Sequence, residues 1–183
     1  YIIFETMNDR GLSLSPTDML KGYLLSNITD DRKRIETNDL MRKLFLQFAE
    51  NGQTETADFF KAWFRSQYAE TIRERKPNAK PGDFDRQGSE FHRWFRDYDN
   101  RLGLNFSDDY YRFIKTNLAF FGKQYHRIRR ASVAINPAFP ELFYISWLGF
   151  TLQYPVTLAP LDISDSDEVI DKKIKMVASY IDI

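Results

Sequence analysis

The chain has 183 residues, of which 43% are apolar and 16% are aromatic, enough for one folded domain with a sizeable buried core. Its 26 Lys and Arg residues equal its 26 Asp and Glu residues, so no overall charge attracts nucleic acid or an anionic membrane. The absence of cysteine excludes disulfides, thiolate nucleophiles and cysteine-ligated metal sites, and with only two histidines we expect no other metal centre.

Capping residues and apolar spacing predict the first two helices. Ser15 can cap a helix in which Pro16 takes the first position and Asp18 the first turn, and we expect it over about residues 16–27. A second helix is predicted before Asn51-Gly52, where the glycine can end it. Its apolar face consists of Leu40, Met41, Leu44, Phe45 and Phe48.

A stripe of aromatic residues predicts the third helix, which Thr56 is expected to cap. The stripe consists of Phe59, Phe60, Trp63, Phe64 and Tyr68. Aromatic residues at helical spacing usually form a core rather than a binding site, and we interpret the stripe as core. The next stretch, residues 73–82, combines prolines and basic residues without periodicity, which indicates an exposed, mobile loop.

Two further helices are predicted around residue 103. The first ends near Gly103, and its apolar face consists of Phe91, Trp94, Phe95 and Tyr98. The second begins at Ser107, with acidic residues in its first turn, and should run to about Arg130.

The last part of the chain predicts two more helices. The segment from Leu142 to Leu152 is apolar on most sides, so we expect a central helix that ends at Tyr154-Pro155, with one more short helical stretch before Leu161. A final helix begins near Asp165. Its predicted core face consists of Val169, Ile170, Ile174, Val177 and Ile181.

No stretch alternates with a period of two between turn residues, so the predicted fold is all-α, an irregular bundle of about seven helices. The chain begins at Tyr1 inside a hydrophobic run and stops at Ile183 inside a helical pattern. We therefore expect an internal fragment of a larger cytoplasmic protein, which contacts the remainder of its own polypeptide. No apolar run approaches the roughly 20 residues of a membrane-spanning helix, so we expect no membrane partner.

The opening of the chain carries a dense motif. From Phe4 to Lys21 it reads Phe-Glu-Thr-Met-Asn-Asp-Arg-Gly-Leu-Ser-Leu-Ser-Pro-Thr-Asp-Met-Leu-Lys, and Gly-Tyr-Leu-Leu follows. This segment resembles the pattern Phe-x-x-x-Asn-x-Arg-Gly-x-x-Leu-Ser, followed by an Asp-Leu/Met-Leu/Ile-Lys helix, of the GmrSD-type restriction family, which is also catalogued as a domain of unknown function. The resemblance covers about two dozen positions and is loose beyond them.

The resemblance implies a bacterial or archaeal, modification-dependent DNA restriction or phage-defence protein. Its N-terminal domain is expected to be similar to the ParB and sulfiredoxin fold and to bind and hydrolyse a nucleoside triphosphate with a divalent metal. Residues 1–28 would form the C-terminal edge of that domain, and residues 29–183 an aromatic-rich helical domain truncated at its end. The family's upstream Asp-Gly-Gln-Gln-Arg motif and an HNH nuclease constellation are absent from this chain, so the fragment alone should be inactive.

The polar residues of the motif allow two interpretations. In the structural one, Asn8, Arg10 and Gly11 form a tight turn, in which glycine takes a positive φ and the side chains satisfy freed backbone groups. In the functional one, they and Ser15 line a nucleotide or phosphate site, because an arginine fork and a helix start both bind anions. The full site would then need the missing upstream motif.

A basic cluster closes the fifth predicted helix. It consists of Lys123, Arg127, Arg129 and Arg130, with His126 among them. The helix dipole favours cations at this end whatever the function, but the cluster is also a candidate for contact with DNA phosphates. Neither His92 nor His126 has a neighbouring nucleophile, so we interpret both as surface or boundary residues. The alternative to a restriction protein is a non-catalytic helical scaffold or interaction module.

Overall fold

The computed structural model describes residues 14–181, and within that range every regular element is a helix and no strand occurs. Nine helices follow one another in these residues. They are α1 (Pro16–Ser26), α2 (Asp31–Ala49), α3 (Glu55–Tyr68), α4 (Asp83–Ser89), α5 (Phe91–Tyr98), α6 (Ser107–Phe113, continuing through a π-helical turn at Ile114–Leu118 into Ala119–Val133), α7 (Pro140–Trp147), α8 (Gln153–Leu158) and α9 (Asp167–Ile181). The expected all-α class is confirmed.

The predicted boundaries of the first half agree closely with the observed ones. Ser15 caps α1, and the backbone N–H of Asp18 donates to its Oγ at 3.1 Å. Gly52 follows α2 with a φ of 141°, and Gly103 ends the 3₁₀ turn after α5 with a φ of 73°. The third helix begins at Glu55, because Thr54 rather than the expected Thr56 takes the N-cap position of α3.

The aromatic stripe of α3 forms the centre of the core, as predicted. Phe59, Phe60, Trp63 and Phe64 have no solvent exposure. The ring of Trp63 stacks on four other rings, at centroid distances of 5.5 Å to Phe59, 5.3 Å to Phe113, 5.6 Å to Phe121 and 6.3 Å to Phe60. Helix α3 packs against α1, α2, α4, α5, α6 and α8, so it touches most of the bundle.

Helix α4 was not predicted from the sequence. It is seven residues long, has no apolar periodicity, and is held by single polar contacts rather than by an apolar face. The backbone N–H of Asp83 donates to Thr71 Oγ1 at 2.9 Å, and its carboxylate accepts from Trp94 Nε1 at 3.0 Å. Residues 73–82 before it form no helix or strand and are mostly exposed, as expected of a loop.

The predicted helix after Pro140 is present, but its expected extent to Leu152 and its central position were wrong. Helix α7 ends at Trp147, and Gly149 with a φ of 77° turns the chain away from the helical path. Trp147 and Leu148 are 80% and 72% exposed, because only Leu142 and Ile145 on the opposite side of α7 reach the core. Tyr154-Pro155 lies inside α8, which packs against α3 in the interior position expected for α7.

The expected number of about seven helices was too low, since α4 is additional. Helix α8 corresponds to the short helical stretch expected before Leu161, although it begins earlier, at Gln153. Helix α9 turns Ile170, Ile174 and Ala178 into the core, whereas Val169, predicted on that face, is 39% exposed. Helix α1 belongs to the same core through Leu20 and Leu24. No helix among residues 14–181 is long and apolar enough to cross a membrane.

Candidate functional site

The predicted anion site at the opening motif lies partly outside the described residues. Asn8, Arg10 and Gly11 precede residue 14, so only Ser15 can be examined. Its hydroxyl is already committed, because Oγ accepts from the Asp18 N–H and donates to Asp18 Oδ2 at 2.6 Å. The carboxylate of Asp18 thus occupies the positive end of the helix dipole, where a bound anion would have to sit.

Few backbone donors remain at the start of α1. Pro16 has no N–H, and the N–H groups of Asp18 and Met19 are used within the helix cap. Among the residues that the structure describes, the Thr17 N–H has no partner. An anion bound near α1 would therefore depend mainly on Asn8 and Arg10, because this helix start offers few free donors.

The four basic residues of the predicted DNA-contacting cluster do not share one face of α6. Lys123, Arg127 and Arg130 recur at helical spacing, whereas Arg129 projects from another side. Lys123 lies 3.9 Å from an Asp167 carboxylate oxygen and Arg127 lies 2.6 Å from one of Asp171, so α9 supplies acidic partners for two of the cations. In the described part of the chain Arg130 is exposed and pairs with no carboxylate.

Lys123 also lines a groove between α2 and α6. This groove has a volume of about 350 Å³, and Lys43 and His126 are among its other wall residues. Burial and the nearby Arg130 guanidinium lower the pKa of His126, and His92 shows the same shift from burial and Arg93. Both histidines therefore lose their proton at a lower pH than a free imidazole does. Within residues 14–181, no group of three acidic or histidine side chains could hold a metal ion.

Arg129, the fourth residue of the predicted cluster, faces a cavity that sequence analysis missed. The cavity has a volume of about 430 Å³ and lies between α3, the C-terminal half of α6, and the segment that joins α7 to α8. The residues that line it include Glu55, Asp58, Lys61, Arg65, Tyr125, Arg129, Phe150, Leu152, Gln153, Tyr154 and Pro155. Charged side chains of both signs converge on it from α3 and α6.

The inner wall of the cavity is a hydrogen-bonded group of four side chains. Glu55 Oε1 accepts from the Tyr125 hydroxyl at 2.7 Å and from Arg129 Nε at 2.9 Å. Arg129 Nη1 donates to the Tyr154 hydroxyl at 3.3 Å. The side chains of Glu55 and Arg129 are only 7% and 22% exposed, so this ion pair lies largely away from water. Its low-dielectric surroundings strengthen both hydrogen bonds.

The pKa shifts agree with this geometry. Burial, together with the hydrogen bond to Glu55, raises the pKa of Tyr125, so its hydroxyl keeps its proton. Burial lowers the pKa of Arg129, but Tyr154, Glu55 and Tyr125 together outweigh it and the net shift is upward. The site therefore holds a fixed positive charge beside a neutral phenol.

A second ion pair and a separate arginine complete the charged wall. Lys61 Nζ lies 3.0 Å from an Asp58 carboxylate oxygen, one turn of α3 away. Arg65 Nε donates to the Phe84 carbonyl at 2.9 Å, and its guanidinium lies over the Phe84 ring, 4.3 Å from the centroid. Burial lowers the pKa of Arg65. Arg65 thus attaches α4 to α3 and adds a positive charge to the cavity wall.

One feature of the sequence could have pointed to this site. Glu55 lies four residues before Phe59, so it occupies the same face of α3 as the aromatic stripe. A carboxylate at a core position needs a buried partner, because an unpaired buried charge is costly. The partner could not be identified, since Arg129 is 74 residues away along the chain.

Comparison of the chain with protein-family models, with curated proteins and with solved structures finds no match. The resemblance to the GmrSD-type family therefore depends on the motif between Phe4 and Leu25 alone. Membership of that family, an edge of a ParB or sulfiredoxin-like domain at residues 1–28, and DNA as a partner stay predictions.

Proposed function

We propose that the chain is part of a GmrSD-like, modification-dependent DNA restriction or phage-defence protein, whose nucleotide-linked activity depends on segments outside this fragment. The observation that carries the proposal is the motif from Phe4 to Leu25, with Asn8, Arg10 and Gly11 at fixed spacing before the helix that Ser15 caps. In the intact protein, Arg10 would bind a nucleotide phosphate through its planar fork, and Asn8 would donate to the same group.

The structure supports this proposal through the second half of the motif. Pro16 to Lys21 form the first turns of α1, and Leu20 and Leu24 are fully buried in the core. Tyr23 on the same helix donates to the carboxylate of Asp99, which also accepts from the Tyr110 hydroxyl at 2.7 Å. The residues after the Asn-x-Arg-Gly segment are therefore attached firmly to the helical body, which is the support that a positioned phosphate-binding arginine needs.

The test is made on the full-length protein. We expect Asn8→Ala and Arg10→Ala each to reduce nucleotide hydrolysis by at least about tenfold and to abolish restriction of phage in a plaque assay, since a lost bidentate phosphate contact has an effect of that size. Arg32→Ala is the matched control, because Arg32 is an exposed arginine on α2. If both motif variants are stable and retain wild-type hydrolysis and restriction, the proposal is wrong.

A non-catalytic interaction module is the second candidate function, and the outer surface of α7 favours it. Tyr144, Trp147 and Leu148 lie at helical spacing and are 50%, 80% and 72% exposed, so they form an apolar face that nothing covers in the described residues. Exposed apolar faces of this kind commonly contact other proteins. The same plaque assay separates the two functions: under this alternative the double variant Trp147→Ser with Leu148→Ser loses activity, while Asn8→Ala and Arg10→Ala keep it.

A further inference from the structure

We infer that the cavity between α3, α6 and α8 binds a small zwitterionic molecule of the α-amino-acid class with an apolar side chain. Its ammonium group would bind at Glu55 and its carboxylate at Arg129 and Tyr154. The inference goes beyond the proposed function, because it uses no residue of the opening motif. It depends on four observations about the cavity: its size, its balance of charge, its free polar atoms and its apolar rim.

The size of the cavity suits a small molecule. Its volume of about 430 Å³ falls within the range of about 300–1,000 Å³ that is typical of small-molecule sites. The walls come from three separate parts of the chain, α3, α6 and the segment around α8, which are held together by the core. The site is therefore formed before any ligand arrives.

Four of the five charges of the cavity wall lie in adjacent pairs of opposite sign. Glu55 is paired with Arg129, and Asp58 is paired with Lys61. Arg65 adds a positive charge, but its Nε and the face of its guanidinium are bound to Phe84. A ligand with a single charge would face one favourable and one unfavourable partner at each pair. A dipolar ligand, with both charges close together, complements such a wall.

The inner ion pair leaves one polar atom free for each charge of the ligand. Glu55 uses Oε1 for both of its hydrogen bonds, so Oε2 has no partner in the described residues, although the side chain is more than nine-tenths buried and lines the cavity. Arg129 uses Nε and Nη1, which leaves Nη2 to donate. Tyr154 accepts from Arg129 and keeps its own proton to donate.

These atoms match an amino acid. An ammonium group supplies the donors that Glu55 Oε2 lacks, and a carboxylate accepts from Arg129 Nη2 and the Tyr154 hydroxyl. Because Glu55 and Arg129 are in direct contact, the two charges of the ligand have to be neighbours, as they are on either side of the α-carbon of an amino acid. Phe150, Leu152 and Pro155 line the same cavity and offer an apolar surface to the side chain.

The experiment is a heteronuclear NMR titration of the chain with L-phenylalanine and with its two halves, 3-phenylpropanoate and 2-phenylethylamine. We expect saturable shifts confined to the cavity residues, and a Kd for L-phenylalanine at least about tenfold lower than for either half, since each half loses one charged contact. L-Leucine should bind as well. If neither amino acid binds saturably at about 10 mM, or if one half binds as tightly as L-phenylalanine, the inference is wrong.

Matched variants test the assigned atoms. Tyr154→Phe removes one hydroxyl from the cavity and keeps the ring, and Glu55→Gln removes the charge at the ammonium site. We expect both to weaken binding of L-phenylalanine by about threefold to tenfold or more. Tyr144→Phe, on the exposed side of α7, is the control and should bind as the wild type does. If Glu55→Gln does not fold, Tyr154→Phe is the test by itself. Binding of L-phenylalanine by that variant with the affinity of the wild type would contradict the assignment.

Discussion

The middle of α3 and its two ends show two ways of fixing a helix in this protein. In the middle, Phe59, Trp63 and their neighbours are enclosed by other rings, and no single contact is essential to the arrangement. At the ends, Glu55 and Arg65 each depend on particular partners, Arg129 on α6 and Phe84 on α4. We therefore expect the apolar middle to contribute most to stability, whereas the polar ends join α3 to particular helices.

Trp63→Ala should have the largest effect. Removing the ring leaves a cavity among Phe59, Phe113 and Phe121, and we expect a loss of about 3–5 kcal/mol in the free energy of unfolding. Urea denaturation followed by circular dichroism measures it. Trp147→Ala is the control, because Trp147 is 80% exposed and its loss should change stability by less than about 0.5 kcal/mol. Similar losses in both variants would contradict the placement of the core.

Arg129→Met should have the next largest effect. It leaves the largely buried Glu55 carboxylate without its cation, and we expect a loss of about 2–3 kcal/mol, below the value for a fully buried pair because Arg129 keeps some exposure. Arg130→Met removes an adjacent, exposed arginine and should be nearly neutral. Urea denaturation measures both losses. Equal losses in the two variants would show that Glu55 and Arg129 are not a buried pair.

Gly82→Ala tests how α4 is held beside the far end of α3. A Cβ at Gly82 would lie 2.6 Å from the backbone carbon of Ile72, so the backbone must shift, and we expect a loss of about 1–3 kcal/mol. Gly22→Ala in α1 has no atom within 4 Å of its Cβ and should instead stabilise the protein by about 0.5–1 kcal/mol. Thermal unfolding of the two variants should therefore shift in opposite directions.

The histidines give the smallest expected effect and extend the comparison to half-buried groups that form no ion pair. His92 and His126 have pKa values lowered mainly by burial, from the ordinary value of 6.5. The folded chain thus binds these protons less tightly than the unfolded chain does. The free energy of unfolding is therefore undiminished above about pH 6.5 and decreases as the pH falls below that value. We expect a lower urea midpoint at about pH 5.5 than at pH 7.5, and a smaller difference in the double variant His92→Gln with His126→Gln.

Sequence patterns predicted the elements whose burial repeats at helical spacing. The capped start of α1, the apolar face of α2, the aromatic stripe of α3 and the full length of α6 all follow from local capping and periodicity. Helix α4 could not be predicted, because its contacts with Thr71 and Trp94 are individual hydrogen bonds and leave no periodic signal. The candidate cavity was missed for a related reason, since its ion pair joins residues that are far apart in the chain.

The amino-acid sequence predicts a helical protein, the starts of its longer helices and an aromatic core under α3, because these properties depend on local capping and on the side of each helix that must avoid water. Which apolar segment is central depends instead on how the helices pack. The strongly apolar stretch after Pro140 lies at the surface beyond Ile145, and the less conspicuous α8 packs against α3. The packing of three helices also determines that the Arg129 side chain faces Glu55 rather than solvent.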